Sequence, residues 1–223
     1  MKIKFILLLF SFLLLTGCSN IIEPNGQYMV TTLGFKEEGQ SFTVFLQAVD
    51  VKKGEQNGNP ATFTVSAEGS SPKDAIDGIK SSLSKNLSIK HCELIVLSPS
   101  VSADGLKSIF SLCDSLEIPL KTRLCVCGDI EKLLNDDGVS AGIELSSLIR
   151  QNANNSGFGG HTALYEIKTA VQVSGGNFAM PVLKAEGEVK VTGLRVYKGS
   201  KGVEYLDFSE SIDYAKKKGL FEK

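Results

Sequence analysis

The feature that most constrains the fold is an alternation of strand-like and helix-like segments in the middle of the chain. Ser71-Pro72-Lys73-Asp74 is typical of a helix start, because Ser71 can cap free backbone amides and Pro72 suits the first turn. The apolar stripe that follows at helical spacing is Ala75, Ile76, Ile79, Leu83 and Leu87. Glu93–Leu97 is then a dense apolar run, short enough for a buried strand. Such alternation favours crossover connections and parallel strands.

Apolar patterns of period two predict antiparallel strands before this region, joined by a hairpin at residues 36–40. The predicted elements of the first half are strands at Tyr28–Phe35, Phe42–Val51, Ala61–Ala67 and Leu120–Cys127, a helix after Ser102, and a short helix at Ile130–Leu134. We therefore predict an α+β fold, of the mixed α/β kind, in which helices pack on a mixed sheet.

A polar cluster, Asn135-Asp136-Asp137-Gly138, marks a soft boundary. It divides a first α/β domain of residues 28–136 from a smaller α+β domain of residues 141–223. The elements expected in the second part are helices at Ile143–Asn152 and Thr162–Val173, a loop at Gln151–Gly160, strands at Ala179–Leu183, Glu186–Tyr197 (with a bend at Gly193) and Val203–Leu206, and a last helix capped by Asp207 and Glu210.

The N-terminus has the pattern of a bacterial lipoprotein signal. Lys2 and Lys4 precede an apolar stretch, Phe5–Leu15, that is too short to span a bilayer. Leu15-Thr16-Gly17-Cys18 closely resembles a lipobox, in which small residues admit the peptidase and the cysteine carries the lipid. We predict a signal peptide at residues 1–17, lipid attachment at Cys18 and a tether over residues 18–27.

Two acyl chains on Cys18 would hold the protein firmly on the outside of the membrane, because one chain binds only marginally. The rest of the sequence offers no second apolar segment long enough to span, so action across the membrane would need a spanning partner. Acidic and basic residues are nearly balanced in the whole chain, with a net charge of −1 and no basic stripe. Nucleic acid is therefore excluded as a partner.

Four further cysteines invite several interpretations. Cys113 continues the apolar face of the helix after Ser102, while Cys125 and Cys127 alternate along one side of a strand. Core thiols are the first interpretation for these residues and for Cys92. A disulfide that involves Cys92 or Cys113, and a metal or redox role for the Cys-x-Cys pair, stay open as alternatives.

Catalytic motifs are sparse. The sequence has no nucleophile elbow, zinc-protease motif or phosphate-binding loop. His91 precedes a buried strand and His161 follows a glycine-rich segment, and neither has the partners of a catalytic site. Asp136 and Asp137 are best explained by a turn. We predict no enzyme, no catalytic residue, no metal site and no cofactor.

The order of several segments resembles one known family, the C subunit of nutrient germinant receptors, which are spore germination lipoproteins. The segments that carry the resemblance are Leu15–Cys18, Leu33-Gly34-Phe35, Phe42–Gln47, Val65–Gly69 leading into the helix at Ser71, Leu87–Leu97, and Gly193–Lys198 followed by Leu206-Asp207. The family has Trp-Asp where this chain has Ser19-Asn20, and it continues into a further C-terminal domain. The resemblance therefore implies a short form that lacks that domain.

The resemblance implies a non-enzymatic subunit that is lipid-anchored to the outer face of the cell membrane or the spore inner membrane. Its implied partners are the integral membrane subunits of the receptor, the A and B types, and the bilayer that Cys18 enters. Two alternatives stay open. One is a free-standing solute-binding or envelope lipoprotein with a cleft near residues 135–142, and the other is a thiol enzyme that uses Cys125 or Cys127.

Overall fold

Nine strands and six helices make up the part of the chain that the computed structural model describes, residues 26–50, 61–135, 141–155, 162–173, 175–186 and 188–218. The strands are β1 Gln27–Glu38, β2 Ser41–Asp50, β3 Ala61–Gly69, β4 Asn86–Ser88, β5 Leu94–Leu97, β6 Arg123–Cys127, β7 Phe178–Glu186, β8 Glu188–Lys198 and β9 Lys201–Asp207. The helices are α1 Pro72–Ser82, α2 Ala103–Ser115, α3 Ile130–Leu134, α4 Ala141–Asn155, α5 Leu164–Val173 and α6 Phe208–Lys218.

The strands form one mixed sheet in the order β3-β2-β1-β5-β6-β7-β8-β9, with the short β4 paired to the start of β1. The central strands β1, β5, β6 and β7 are parallel, and antiparallel hairpins extend the sheet on both sides. The α+β prediction is thus confirmed, including the crossover connections. We call the end of the sheet where these four central strands begin the amino end, and the opposite one the carboxyl end.

One face of the sheet is covered by α1, α2 and α5. The side chains that alternate along β1 and β2, such as Leu33, Phe35 and Leu46, are fully buried there against Ile79 of α1 and Ile109 of α2. The period-two pattern of the strands and the helical stripe after Ser71 therefore meet in one core, as hydrophobic burial requires. The largest apolar cluster of the described residues lies on this face.

The other face carries α3, α4 and α6. Leu94, Val96, Cys125 and Cys127 project from β5 and β6 into a second cluster with Ile149 of α4. A smaller cluster lies beneath α6. β5 and β6 are buried on both faces because helices cover both, which explains why their sequences are apolar without alternation.

Some local predictions differ from the structure. The loop expected from Gln151 is wrong for Gln151–Asn155, which belong to α4, because Ala153 is buried and the Asn152 amide donates to the carbonyl of Leu148 at 2.9 Å. The strand predicted from Leu120 begins only at Arg123, because the chain turns first and the amide of Thr122 donates to the carbonyl of Pro119.

The boundary cluster and the glycine-rich segment fall largely outside the described residues. Asp136, Asp137 and His161 are among the positions of which nothing structural is said. The two parts of the chain that the sequence divides at residues 136–141 share the sheet, because β6 of the first part pairs with β7 of the second.

Candidate functional site

The predicted lipid site, Leu15, Thr16, Gly17 and Cys18, lies outside the described residues and stays a prediction. The structure does show how the chain enters the sheet after it. The ring of Tyr28 packs edge-on against Phe63, with ring centres 4.7 Å apart, and its hydroxyl lies 3.1 Å from the hydroxyl of Ser84. Lys85 lies over the same ring and pairs with the buried carboxylate of Asp50 at 2.8 Å. The start of β1 is therefore firmly held at the amino end.

A groove opens at the carboxyl end of the sheet, where folds with parallel strands usually bind ligands. It exists because β6 ends at Cys127 while β7 continues to Glu186, so the end of β7 has no neighbour on that side. The volume of the groove is about 630 Å³. Its walls come from the turn after β6, the start of α3 and the β7–β9 strands, and include Asp129, Lys132, Lys184, Glu186, Thr192 and Tyr205.

Several polar side chains of this groove form bonds within the chain itself. A carboxylate oxygen of Asp129 accepts from the amide of Lys132 at 3.0 Å and caps α3. Lys184 pairs with Glu186 at 2.9 Å, and the hydroxyl of Tyr205 donates to the carbonyl of Thr192 at 2.9 Å. Asp129, Lys184 and Tyr205 therefore stabilise the fold itself.

The N-terminus of α2 also lies at the carboxyl end, and helix N-termini attract anions. Here the carboxylate of Glu37 occupies that position. Its two oxygens accept from the amide of Ser102 at 2.6 Å and from the hydroxyl of Ser102 at 3.0 Å. A β-carbon at Gly105 would lie only 2.2 Å from Glu37. The chain therefore supplies its own anion, and Glu37 is a structural residue.

The four cysteines that the structure describes are buried and free, as the core interpretation predicts. Burial raises the pKa of Cys92 and Cys125 well above the ordinary value, and raises that of Cys113 to about 12. Burial also raises the pKa of Cys127, whose thiol donates toward the carbonyl of Asp129 at 3.4 Å. A thiolate nucleophile needs the opposite shift. These environments favour the protonated thiol over the reactive thiolate.

The histidine and the acidic residues do not assemble a reactive site. His91 is exposed in a 3₁₀ turn while its neighbour Cys92 is buried, so the two side chains do not form a nucleophile–base pair. Within the described ranges, no three histidine, cysteine or carboxylate side chains are placed to hold a metal ion together.

Sequence reasoning missed two buried polar contacts that join distant elements. The amide of Gln47 on β2 and the hydroxyl of Thr64 on β3 both donate to the carbonyl of Leu134, at 2.9 and 3.1 Å, and so fix the end of α3 to the sheet. The cap of Ser102 by Glu37 was missed as well. The available signal was Gln47 itself, a polar residue in an apolar strand, which indicates a buried hydrogen bond. Its partner, Leu134, lies 87 residues away and so could not be identified from the sequence.

These features define a mixed α+β fold with a groove at the carboxyl end of the sheet and buried thiols. The chain matches the family model described as spore germination protein N-terminal domain over residues 20–185. Because the match covers most of the chain, the protein belongs to this family of spore germination proteins, and the resemblance to germinant-receptor C subunits is confirmed. No curated protein and no solved structure matches the chain. Among the helices that the structure describes, none has the length and apolar character to cross a membrane.

Proposed function

We propose that this chain is a lipid-anchored, non-enzymatic subunit of a nutrient germinant receptor, the C subunit, which acts in spore germination. Membership of the spore germination family is the observation that carries the proposal. The buried, protonated thiols and the mutually engaged polar side chains of the groove support a role without catalysis.

The anchor in this proposal is Cys18. The lipobox supports it, since Leu15, Thr16 and Gly17 have the residue types that a lipoprotein signal peptidase accepts before the cysteine. Two or more acyl chains would then retain the protein on the outer face of the cell membrane or spore inner membrane.

The partners in this proposal are the integral membrane subunits of A and B type. A protein on the outer face that senses or relays a nutrient signal needs spanning partners to transmit it. The open groove at the carboxyl end and the exposed strand β9 offer surfaces for such partners.

The anchor is tested by Cys18→Ala in the native host, with Ser19→Ala as the matched control one residue away. We expect Cys18→Ala to move the protein out of the membrane fraction and Ser19→Ala to leave it there. Mass spectrometry of the mature N-terminus gives the modification directly. An unmodified thiol at residue 18, or a freely secreted wild-type chain, would contradict the anchor.

The receptor role is tested by purifying the tagged chain from spore membranes in mild detergent. We expect two spanning subunits to copurify with the wild-type chain. Recovery of the chain alone would favour a free-standing lipoprotein. A solute at 100 times its dissociation constant would then stabilise the isolated chain by about 2.7 kcal/mol, which a thermal unfolding experiment detects.

A further inference from the structure

The amino end of the sheet is where the chain arrives from its N-terminus, because β1 begins at Gln27. Loops from both halves of the chain meet at this end. The amide of Tyr165 donates to the carbonyl of Leu120 at 3.0 Å, and the amide of Ser200, in the β8–β9 turn, donates to the carbonyl of Gly176 at 2.8 Å. These contacts make the amino end a continuous surface.

The reach of the N-terminal segment restricts how a lipid-anchored chain can sit. Eight residues, 19–26, separate Cys18 from β1, and a fully extended chain of that length spans at most about 29 Å. β1 has 12 residues and so extends roughly 40 Å from the amino end to the carboxyl end. A chain anchored at Cys18 therefore cannot turn its carboxyl end to the membrane.

Two large apolar side chains are exposed on neighbouring segments of the amino end. Leu120 is 56% exposed and Tyr165 is 52% exposed, and the hydrogen bond between their backbones keeps them together. Tyrosine is favoured at membrane interfaces, where its ring is in the apolar layer and its hydroxyl in water. Lys121 follows Leu120 directly and is exposed.

Exposed lysines surround this pair. Lys90 lies in the 3₁₀ turn before β5, and Lys198 and Lys201 flank the β8–β9 turn. None of these, nor Lys121, forms an ion pair with a residue that the structure describes. Glu93, Glu117 and Glu166 also lie at this end, and a carboxylate oxygen of Glu166 accepts from the hydroxyl of Tyr165 at 3.3 Å. At the carboxyl end Lys36, Lys107, Lys184 and Lys190 each pair with a carboxylate, while Lys132 has no ion pair with a described residue, so unpaired lysines are more numerous at the amino end.

We propose that the amino end of the sheet rests on an anionic phospholipid surface, with Leu120 and Tyr165 at the headgroup level and Lys90, Lys121, Lys198 and Lys201 facing the headgroups. The proposal rests on the lipid anchor proposed above. It orients the protein: the groove between β6 and β7 points away from the membrane and is open to the outer parts of spanning partners.

The orientation is tested on the chain from Cys18 to Lys223, coupled through Cys18 to a maleimide phospholipid on vesicles of phosphatidylglycerol and phosphatidylcholine. The buried cysteines do not compete for the maleimide. A water-soluble amine reagent and mass spectrometry then measure the labelling of each lysine, with the same lipid-coupled chain in detergent as reference. We expect several-fold lower labelling of Lys90, Lys121, Lys198 and Lys201 on vesicles, and unchanged labelling of Lys107, Lys132 and Lys190 at the carboxyl end.

Two variants test whether the exposed apolar side chains of Leu120 and Tyr165 cause the protection. Leu120→Ser with Tyr165→Ser should abolish the protection, while Phe208→Ser, which removes an exposed apolar side chain at the start of α6, at the carboxyl end of the sheet, should leave it intact. Equal protection of both ends, or protection of the carboxyl end alone, in the wild-type chain would overturn the proposal. The maleimide phospholipid supplies the anchor in this experiment, so its result does not depend on whether Cys18 is lipidated in the cell. A failure of the proposed orientation is therefore distinguishable from a failure of Cys18→Ala to release the protein in the native host.

Discussion

At the scale of single residues, Gly193 allows the backbones of β8 and β9 to approach closely. A β-carbon there would lie 2.0 Å from the carbonyl oxygen of Leu206 and 2.9 Å from the ring of Tyr205. The strand register shifts beside this glycine, since Gly193 pairs with Val182 whereas Val191 pairs with Leu183. The bend that the sequence predicted at Gly193 is therefore confirmed, and its reason is the close approach of β9 and the tyrosine ring.

Gly193→Ala should destabilise the fold by about 1–3 kcal/mol, the usual cost of overpacking, because the neighbour in contact is backbone and cannot move away easily. Gly128→Ala is the control, since a β-carbon at Gly128 meets nothing within 4 Å. Urea unfolding followed by circular dichroism measures both. Equal midpoints for the two variants would show that β9 adapts to the methyl group.

The thiols are a second feature of the residue scale. Burial raises the pKa of Cys113 from 9.0 to about 12, and raises the pKa of Cys92 and Cys125 too. The folded chain keeps thiol protons that the unfolded chain loses, so this contribution to stability is full below pH 9 and is lost as the pH rises toward 12.

A thiol reagent at pH 8 should therefore modify Cys92, Cys113 and Cys125 only as fast as the protein unfolds. Cys127 borders the groove but is only 1% exposed, so it should also react only on local opening, and should be the first of the four to do so. Timed alkylation with peptide mass spectrometry gives the order. Rapid modification of Cys113 in native buffer would contradict its burial.

At the scale of elements, side chains cap the N-termini of α1, α2 and α6. The sequence predicted these caps, but not the contribution of one further residue, Glu37. The hydroxyl of Ser71 accepts from the amide of Asp74 at 3.1 Å. Asp207 and Glu210 form the predicted reciprocal cap of α6, with distances of 3.0 and 2.9 Å. Ser102 caps α2 as the sequence predicted, since its hydroxyl accepts from the amide of Gly105 at 2.9 Å, and Glu37 of β1, 65 residues away, accepts from the amide and the hydroxyl of Ser102.

Glu37→Ala should cost about 1–2 kcal/mol of stability, because the substitution removes a charged acceptor from the N-terminus of α2. Glu38→Ala is the neighbouring control. Its carboxylate pairs only with the exposed Lys36, so its loss should cost less than about 1 kcal/mol. Thermal unfolding of the two variants compares them. A Glu38→Ala variant as unstable as Glu37→Ala would refute the role of the cap.

At the scale of the whole molecule, the sheet joins parts of the chain that look separate in the sequence. Only two residue pairs, Val126 with Val182 and Cys127 with Leu183, connect β6 to β7. Because β7 continues beyond β6, this short connection also creates the groove. Periodicity reports which face of a strand is buried, but it does not report which strand lies beside it.

Although Gln151–Asn155 is helical rather than the predicted loop, the sequence by itself determined most element types, the helix caps at Ser71, Ser102 and Asp207, and the family. These depend on residues close together in the chain, where spacing and side-chain chemistry act directly. The tertiary structure alone decided that Glu37 closes α2, that Gln47 and Thr64 hold the end of α3, and that Leu120 meets Tyr165 at the amino end. Each of these contacts joins residues far apart in the chain, and only the packing of the sheet and its helices brings them within bonding distance.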